Sequence, residues 1–508
     1  MSTARRLTRG LAATLLQQVV TAVGNLVLVP VFLGHWGEQR YGEWLMLYAA
    51  VAYMTVVDFG MQMYVVNRLN QAYTRGAMDD YHRTLHSALR LSLAISGSVV
   101  ALVVIAFALM PVARWLEFVW IDEPEAALVG TLLGVQLLGA IPQGLVNGVY
   151  RTLGEYPRGV MISNAQRALG FGLTALVVAI DGTPSGVAAA QLAPLALSAG
   201  FVWWDLRRRH PEIRLGVNEG SYREARALLV PSLFFFLIQL SSGLILQGTT
   251  LVVGSVISVA AVVGFTTTRT LANLITQITF TVNATLWPDL TTLETQGRYD
   301  TLRELQRLAT KVVLALTLAA TVFLVFDGEP LVRAWTRGKV DYDATLTTTF
   351  LVYTLYLGFV NTTTMVLVAA NQHRATALTL TAATGAGIAL AIPAAHWLGS
   401  AGVTAAMLVT DVAIRGVVQT RDACRMIAQP LGSYLMDTLA RGALVAALAF
   451  AIMGGLAALS GIAGAGASVI AMIAFAGVTG VVVGGLTFVV WLAPSERRRV
   501  LSLARRGR

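Results

Sequence analysis

The sequence predicts an all-α polytopic membrane protein of about 14 transmembrane helices. It reads as two pseudo-symmetric six-helix bundles with two extra helices at the C-terminus. Three observations carry this. Fourteen apolar stretches of spanning length fill almost all of the 508 residues, and a helix needs roughly 20 apolar residues to cross the hydrocarbon core. Basic residues gather in alternate loops. A loop motif recurs half-way along the chain. Composition agrees: 56% hydrophobic, 13% charged and a mean hydropathy of +0.67.

The spans read as 11–33, 44–66, 86–111, 126–150, 159–180, 187–204, 226–252, 259–288, 308–326, 346–370, 375–394, 401–418, 438–459 and 468–492. With the N-terminus inside, 28 of the 37 Lys and Arg fall in cytoplasmic segments and five outside: Arg40, Arg114, Arg333, Arg337 and Lys339. Such asymmetry orients membrane proteins, so both termini are expected in the cytoplasm. The net charge of +10 is mostly this topological signal; it is scattered over loops, so no nucleic-acid partner is expected. All ten Trp lie near span ends, as an interfacial belt. The first span lacks a small-residue cleavage site and reads as a retained helix.

The loop after span 2 runs from Gly76 through Asp79 and Ala88 to Arg90, and that after span 8 from Gly297 through Asp300 and Ala309 to Lys311. The offset is 221 throughout. Each copy reads as a helix start followed by an amphipathic helix leading into the next span. Gly154–Arg158 before span 5 and Ala370–Arg374 before span 11 agree more loosely. Spans 1–6 and 7–12 therefore read as parallel copies of one unit, an arrangement transporters use. The expected divisions are 1–210 (spans 1–6), 211–430 (spans 7–12) and 431–508 (spans 13–14 and a basic tail).

Polar residues inside spans mark candidate functional positions. In span 8, twelve of the twenty residues from Thr266 to Thr285 are polar. Thr can bond back to its own helix, but Arg269, Asn273 and Gln277 cannot readily do so, and they share one face at i, i+4 and i+8. Span 1 carries Thr14, Gln18, Thr21 and Asn25, and span 7 carries Ser232, Gln239 and Ser242. These stripes suggest a hydrophilic cavity; the bland alternative is a polar seam between helices. Arg90 and Arg415 lie near the cytoplasmic side and can snorkel, and Arg415 can pair with Asp411. Arg167 lies about 13 Å deeper than Arg158 at 1.5 Å per residue. Arg167 and Arg269 suit a phosphate group, because the guanidinium fork binds its oxygens bidentately. Asp58 and Asp411 are candidates for ion coupling or for structural pairing.

Other chemistry is missing. The single cysteine, Cys424, and six scattered His give no metal-ligand spacing. No phosphate loop, nucleophile elbow or carboxylate cluster occurs, so no cofactor, metal or catalytic residue is expected, and the chain does not read as an enzyme. The longest outside loop is expected at 327–345, too short for the large catalytic loop of a membrane polysaccharide polymerase or ligase.

Leu33-Gly34-His-Trp-Gly37-Glu-Gln-Arg-Tyr41-Gly42-Glu-Trp44, then Asp58-Phe-Gly60, resembles the start of bacterial polysaccharide flippases. These are O-antigen and exopolysaccharide transporters of the multidrug/oligosaccharidyl-lipid/polysaccharide exporter superfamily. Gly264-Phe-Thr-Thr-Thr-Arg269-Thr-Leu271, ending Leu286-Trp-Pro288-Asp-Leu290, resembles that family's span 8, with Val263 where a Tyr often stands. The likeness covers most of residues 10–430. It implies alternating access by two bundles in the bacterial inner membrane. It implies a lipid-linked oligosaccharide substrate whose pyrophosphate headgroup crosses through a central cavity while its polyprenyl tail stays among membrane lipids. Contact with polysaccharide polymerase machinery is also implied. The related lipid II flippases likewise have two extra helices, which help form a groove for the lipid tail. The nearest rival is a cation-coupled drug or metabolite exporter of the same superfamily.

Overall fold

The computed structural model describes residues 3–54, 61–221, 236–370, 372–460 and 469–498. Every regular element among them is helical. The elements are α1 (Thr3–His35), α2 (Gly37–Tyr53), α3 (Met61–Thr74), α4 (Met78–Leu109), the single turn α5 (Val112–Trp115), α6 (Glu123–Thr152), α7 (Tyr156–Ala179) and α8 (Pro184–Arg209). There follow α9 (Phe236–Val256), α10 (Val259–Thr295), α11 (Tyr299–Thr336), α12 (Ala344–Ala369), α13 (Arg374–Met426), α14 (Leu431–Leu459) and α15 (Ile470–Trp491). Asp58 and Ser232 lie outside the described residues.

Local chemistry sets the helix starts. Asp122, Thr183 and Asp343 cap α6, α8 and α12 by accepting from the N–H groups of Glu125, Gly186 and Leu346, which satisfies donors the first helical turn leaves free. Arg207, Arg208 and Arg209 close α8, where cations suit the negative end of the helix dipole. Gly76 and Gly297, the repeat pair, both end helices with left-handed backbone (φ +72° and +66°), a conformation glycine adopts without a Cβ penalty. Their spacing thus reflects the same helix–turn–helix geometry twice.

Ten described stretches are long and apolar enough to cross a membrane, and one of them, α13, holds two spans. It breaks at Gly399 (φ 60°, ψ −148°), a conformation open essentially to glycine alone. Spans 11 and 12 therefore meet with no loop between them. α7 and α10 are full-length helices but fall outside the ten. They are the polar spans 5 and 8. The expected outside loop 327–345 is mostly helix instead: α11 runs on to Thr336 and α12 begins at Ala344. Pro330 lies inside α11, and its helix continues through it.

The chain forms two compact units, Met1–Val263 and Gly264–Arg508. In the first, alternate loops meet at opposite ends. At one end Tyr81 Oη bonds Thr152 Oγ1 (2.9 Å), and Arg158 grips Asp205 with two bonds (2.7 and 2.8 Å). At the other, buried Glu43 accepts the backbone N–H groups of Val119, Trp120 and Ile121 at 2.8–3.2 Å, and Ser185 N–H donates to Glu125 (2.8 Å). The motif Tyr41-Gly42-Glu43-Trp44 is thus structural. Tyr41 stacks on Phe32 (4.7 Å), and a Cβ on Gly42 would stand 2.4 Å from the Val259 carbonyl oxygen, so only glycine lets these backbones touch. In the second unit α14 and α15 pack on α11 and α12 through Leu314, Leu318, Phe359, Val445, Met453 and Phe475.

Candidate functional site

In the first unit the polar stripe of α1 meets α7. Close approach is possible because α1 carries Gly24, where a Cβ would overlap the Phe171 ring at 2.1 Å. Arg167, half-buried on α7, donates from Nη1 to Thr21 Oγ1 (2.8 Å), and Asn164 Nδ2 donates to the Ala13 carbonyl (3.0 Å). Gln18 and Asn25 flank Thr21 on the same stripe at i−3 and i+4; Gln18 is half-buried and Asn25 exposed. Deeper in, Gln143 Nε2 bonds Gln166 Oε1 (3.0 Å) and Ser198 Oγ (2.8 Å). The α1–α7 seam therefore joins a guanidinium to a row of amides and hydroxyls, an array suited to phosphate and sugar oxygens. Gln239 on α9 is exposed.

In the second unit α10 divides its polar residues. Thr270, Thr276 and Thr281 bond back to the carbonyls of Thr266, Ala272 and Gln277. Thr267, Thr279 and Asn283 are buried in the unit. Arg269 and Gln277 are half-buried and Asn273 is exposed. The Arg269 guanidinium lies 5.3 Å from the Phe265 ring centre, a cation–π geometry.

Asp411 and Arg415 form a buried bidentate pair, both bonds 2.6 Å, and Arg415 Nη1 reaches Asn361 Oδ1 (2.9 Å). Arg415 is therefore held inside the unit and does not snorkel. Arg90 is likewise engaged, donating to the carbonyls of Val217 (2.7 Å) and Gly220 (2.8 Å).

Three features had no signal in the sequence. Lys311, counted there with the loop charges, is wholly buried in α11. Its Nζ lies 2.7 Å from Asp437, 3.0 Å from Glu496 and 3.4 Å from the Trp491 carbonyl oxygen. Second, an apolar groove of about 470 Å³ lies among α11, α12, α13 and α14, floored by Trp491; only Tyr356, Thr420 and Thr438 bring hydroxyls to it. Third, the second unit has π-helical turns at Asp411–Gly416, Met436–Ala440 and Thr487–Trp491, and all three border this groove. A π turn loosens the helix's own hydrogen-bond ladder. Here each turn has a carbonyl answered from elsewhere: Asp411 O by Tyr356 Oη (2.9 Å), Asp437 O by Trp491 Nε1 (3.1 Å) and Trp491 O by Lys311.

No protein-family model and no curated protein sequence matches the chain. Solved structures do. A multidrug resistance MATE family transporter of the MOP superfamily, inward-facing, aligns with TM-score 0.67 at 15% identity, over 81% of this chain and 94% of its own. The lipid II flippase MurJ, in an inward closed conformation, aligns with TM-score 0.67 at 12% identity, over 94% of this chain and 98% of its own. The chain has the fold of these transporters. An outward-facing MATE structure gives TM-score 0.58 at 15% identity and covers 83% of this chain. The flippase thus spans more of the sequence than either transporter.

Proposed function

We propose that this protein is a bacterial inner-membrane flippase with both termini cytoplasmic. It moves a polyprenyl-pyrophosphate-linked oligosaccharide from the cytoplasmic to the periplasmic leaflet by alternating access, for cell-surface polysaccharide synthesis. The observation that carries this reading is the apolar groove built around α14, a helix beyond the two six-span repeats. A polyprenyl chain suits a groove with so few polar atoms, while a hydrophilic headgroup needs the polar faces found on α1, α7 and α10. In this reading Arg167 and Arg269 hold the pyrophosphate, and Gln18, Asn25, Gln239, Asn273 and Gln277 meet sugar hydroxyls. Asp411 is committed to Arg415 as a structural partner. The likeness to a lipid II flippase over 94% of the chain supports a lipid-linked substrate. In this proposal polysaccharide polymerase machinery takes up the flipped substrate.

A second reading, a cation-coupled drug exporter, is favoured by the equal TM-score of the multidrug transporter. One experiment separates them. Deletion of the gene is expected to stop surface polysaccharide and to leave lipid-linked repeat units in the cytoplasmic leaflet, with dye efflux unchanged. Arg167→Ala and Arg269→Ala, expressed at normal level, are expected to repeat the defect, and the Lys substitutions to restore part of it. Normal polysaccharide with impaired dye efflux assigns the protein to drug export instead.

A further inference from the structure

Each unit carries a strap at one end. The segment after α8, from Pro211 to Ser221, lies against α4 and is held by three residues at i, i+4 and i+8. His82 Nε2 lies 3.1 Å from the Glu212 carbonyl oxygen and 3.2 Å from the Arg214 backbone nitrogen. His86 Nε2 donates to the Arg214 carbonyl (2.7 Å), and its Nδ1 accepts from Glu219 N–H (3.2 Å). Arg90 holds the carbonyls of Val217 and Gly220. The fit is close: a Cβ on Gly220 would stand 2.8 Å from the His86 carbonyl group.

At the offset of 221 the same three positions on α11 are Arg303, Arg307 and Lys311. They hold the chain that follows α13. Arg303 donates to the Ala428 carbonyl (3.0 Å), Arg307 to the Gln429 side-chain oxygen with that amide turned to present it (2.9 Å), and Lys311 to Asp437 and Glu496. One unit thus straps its outgoing chain with fixed cations, and the other with two imidazoles and an arginine. Imidazoles change charge between pH 5 and 8; Arg and Lys do not.

We infer that the segment Pro211–Ser221 is a pH-sensitive strap, closed by neutral His82 and His86 and loosened by acid in the compartment this end faces, the cytoplasm on the topology proposed above. Protonated His86 has no lone pair for Glu219 N–H. Neutral His82, with Nε2 accepting from Arg214 N–H, keeps its proton on Nδ1; protonation adds an N–H at Nε2, which can then no longer accept from Arg214. The titratable and charged groups around the pair are Tyr81 and Arg90 on α4 and Glu212, Arg214 and Glu219 on the strap, with His210 behind Glu212 (3.1 Å) and near Glu155 (3.5 Å). α6 and α8 meet the strap through Gln143, Val146, Ala199, Val202 and Trp203, none of them charged. The strap is closed while both imidazoles are neutral and loosens when acid protonates them.

The test is amide hydrogen exchange of the full chain in lipid nanodiscs at pH 8.0 and 5.5, corrected for intrinsic rates. Exchange at Arg214 and Glu219 should rise at least about fivefold in acid, the loss of one neutral hydrogen bond. The segment 426–435, held by Arg303 and Arg307, serves as the internal control and should not change. His86→Gln, which keeps a donor and an acceptor but cannot titrate, should largely remove the acid response at Glu219. Equal corrected exchange at both pH values in the unaltered protein overturns the inference, whatever the variant does. So does an undiminished response at Glu219 in His86→Gln. Because exchange needs no substrate, this outcome is independent of what the protein transports.

Discussion

Replacing Lys311 by Met tests how the last two helices are held. The methionine stem fills most of the lysine's volume, so packing changes little and the charge is what is removed. Two carboxylates lose it. Asp437 keeps Arg441 (2.9 Å) and is partly exposed. Glu496, 6% exposed at its side chain, keeps the Ala493 N–H (2.7 Å). The Trp491 carbonyl also loses its donor. Breaking a buried pair from one side costs about 3–5 kcal/mol, or roughly two to three and a half decades in the equilibrium for opening the contact. Hydrogen exchange across 487–498 reads that opening directly. Lys311→Met should speed it by at least a hundredfold, while α6 and α8 in the other unit are unaffected. Adding Glu496→Gln removes the stranded charge and should recover more than half of the loss. An acceleration below about threefold in the single variant would refute the reasoning, since it would mean the acids are solvated or neutral without the lysine.

Asp411→Asn should lower folded yield, because it leaves Arg415 charged and buried; the paired change Asp411→Leu with Arg415→Met should restore yield. If the restored protein also transports, the pair is structural, and if it folds but does not transport, Asp411 has a coupling role. Gly42→Ala should destabilise the first unit by about 1–3 kcal/mol through overpacking against Val259, read as a lowered thermal midpoint in detergent. Gly399→Ala has open space around its Cβ, so its cost of about 1–3 kcal/mol comes from backbone strain alone; an unchanged midpoint would show that the turn relaxes to an ordinary conformation.

Hydropathy and charge made the spans and their alternation readable, because membrane crossing imposes a length and a polarity on each segment independently of the rest. The i, i+4 pairing of Asp411 with Arg415 was readable for the same reason: both partners lie on one helix. Arg167 was visible as a deep charge, but Thr21, its partner 146 residues away, became evident only once α1 and α7 were packed. Lys311 went unread because its acids lie beyond Gln429, on helices outside the repeat. Glu43 looked like part of a family motif, and only the packed loop 119–121 explains it. The break at Gly399 had a glycine to announce it, but no pattern said that the two spans would meet without a loop. Asp58, the other acid singled out, lies outside the described residues.

The wide turns around the groove have one more consequence. Each residue advances an α-helix by about 100°, and a π turn absorbs one extra residue. Everything beyond it is therefore rotated by about that angle relative to an uninterrupted helix. Tyr356 and Trp491, by holding the carbonyls at the turns in α13 and α14, fix the azimuth of the helix beyond each one. Loss of a single donor, with no change in the groove's own lining residues, could swing a different stripe of side chains toward its contents. The groove's selectivity would then be written partly in rotational phase, at residues that need never touch what it binds.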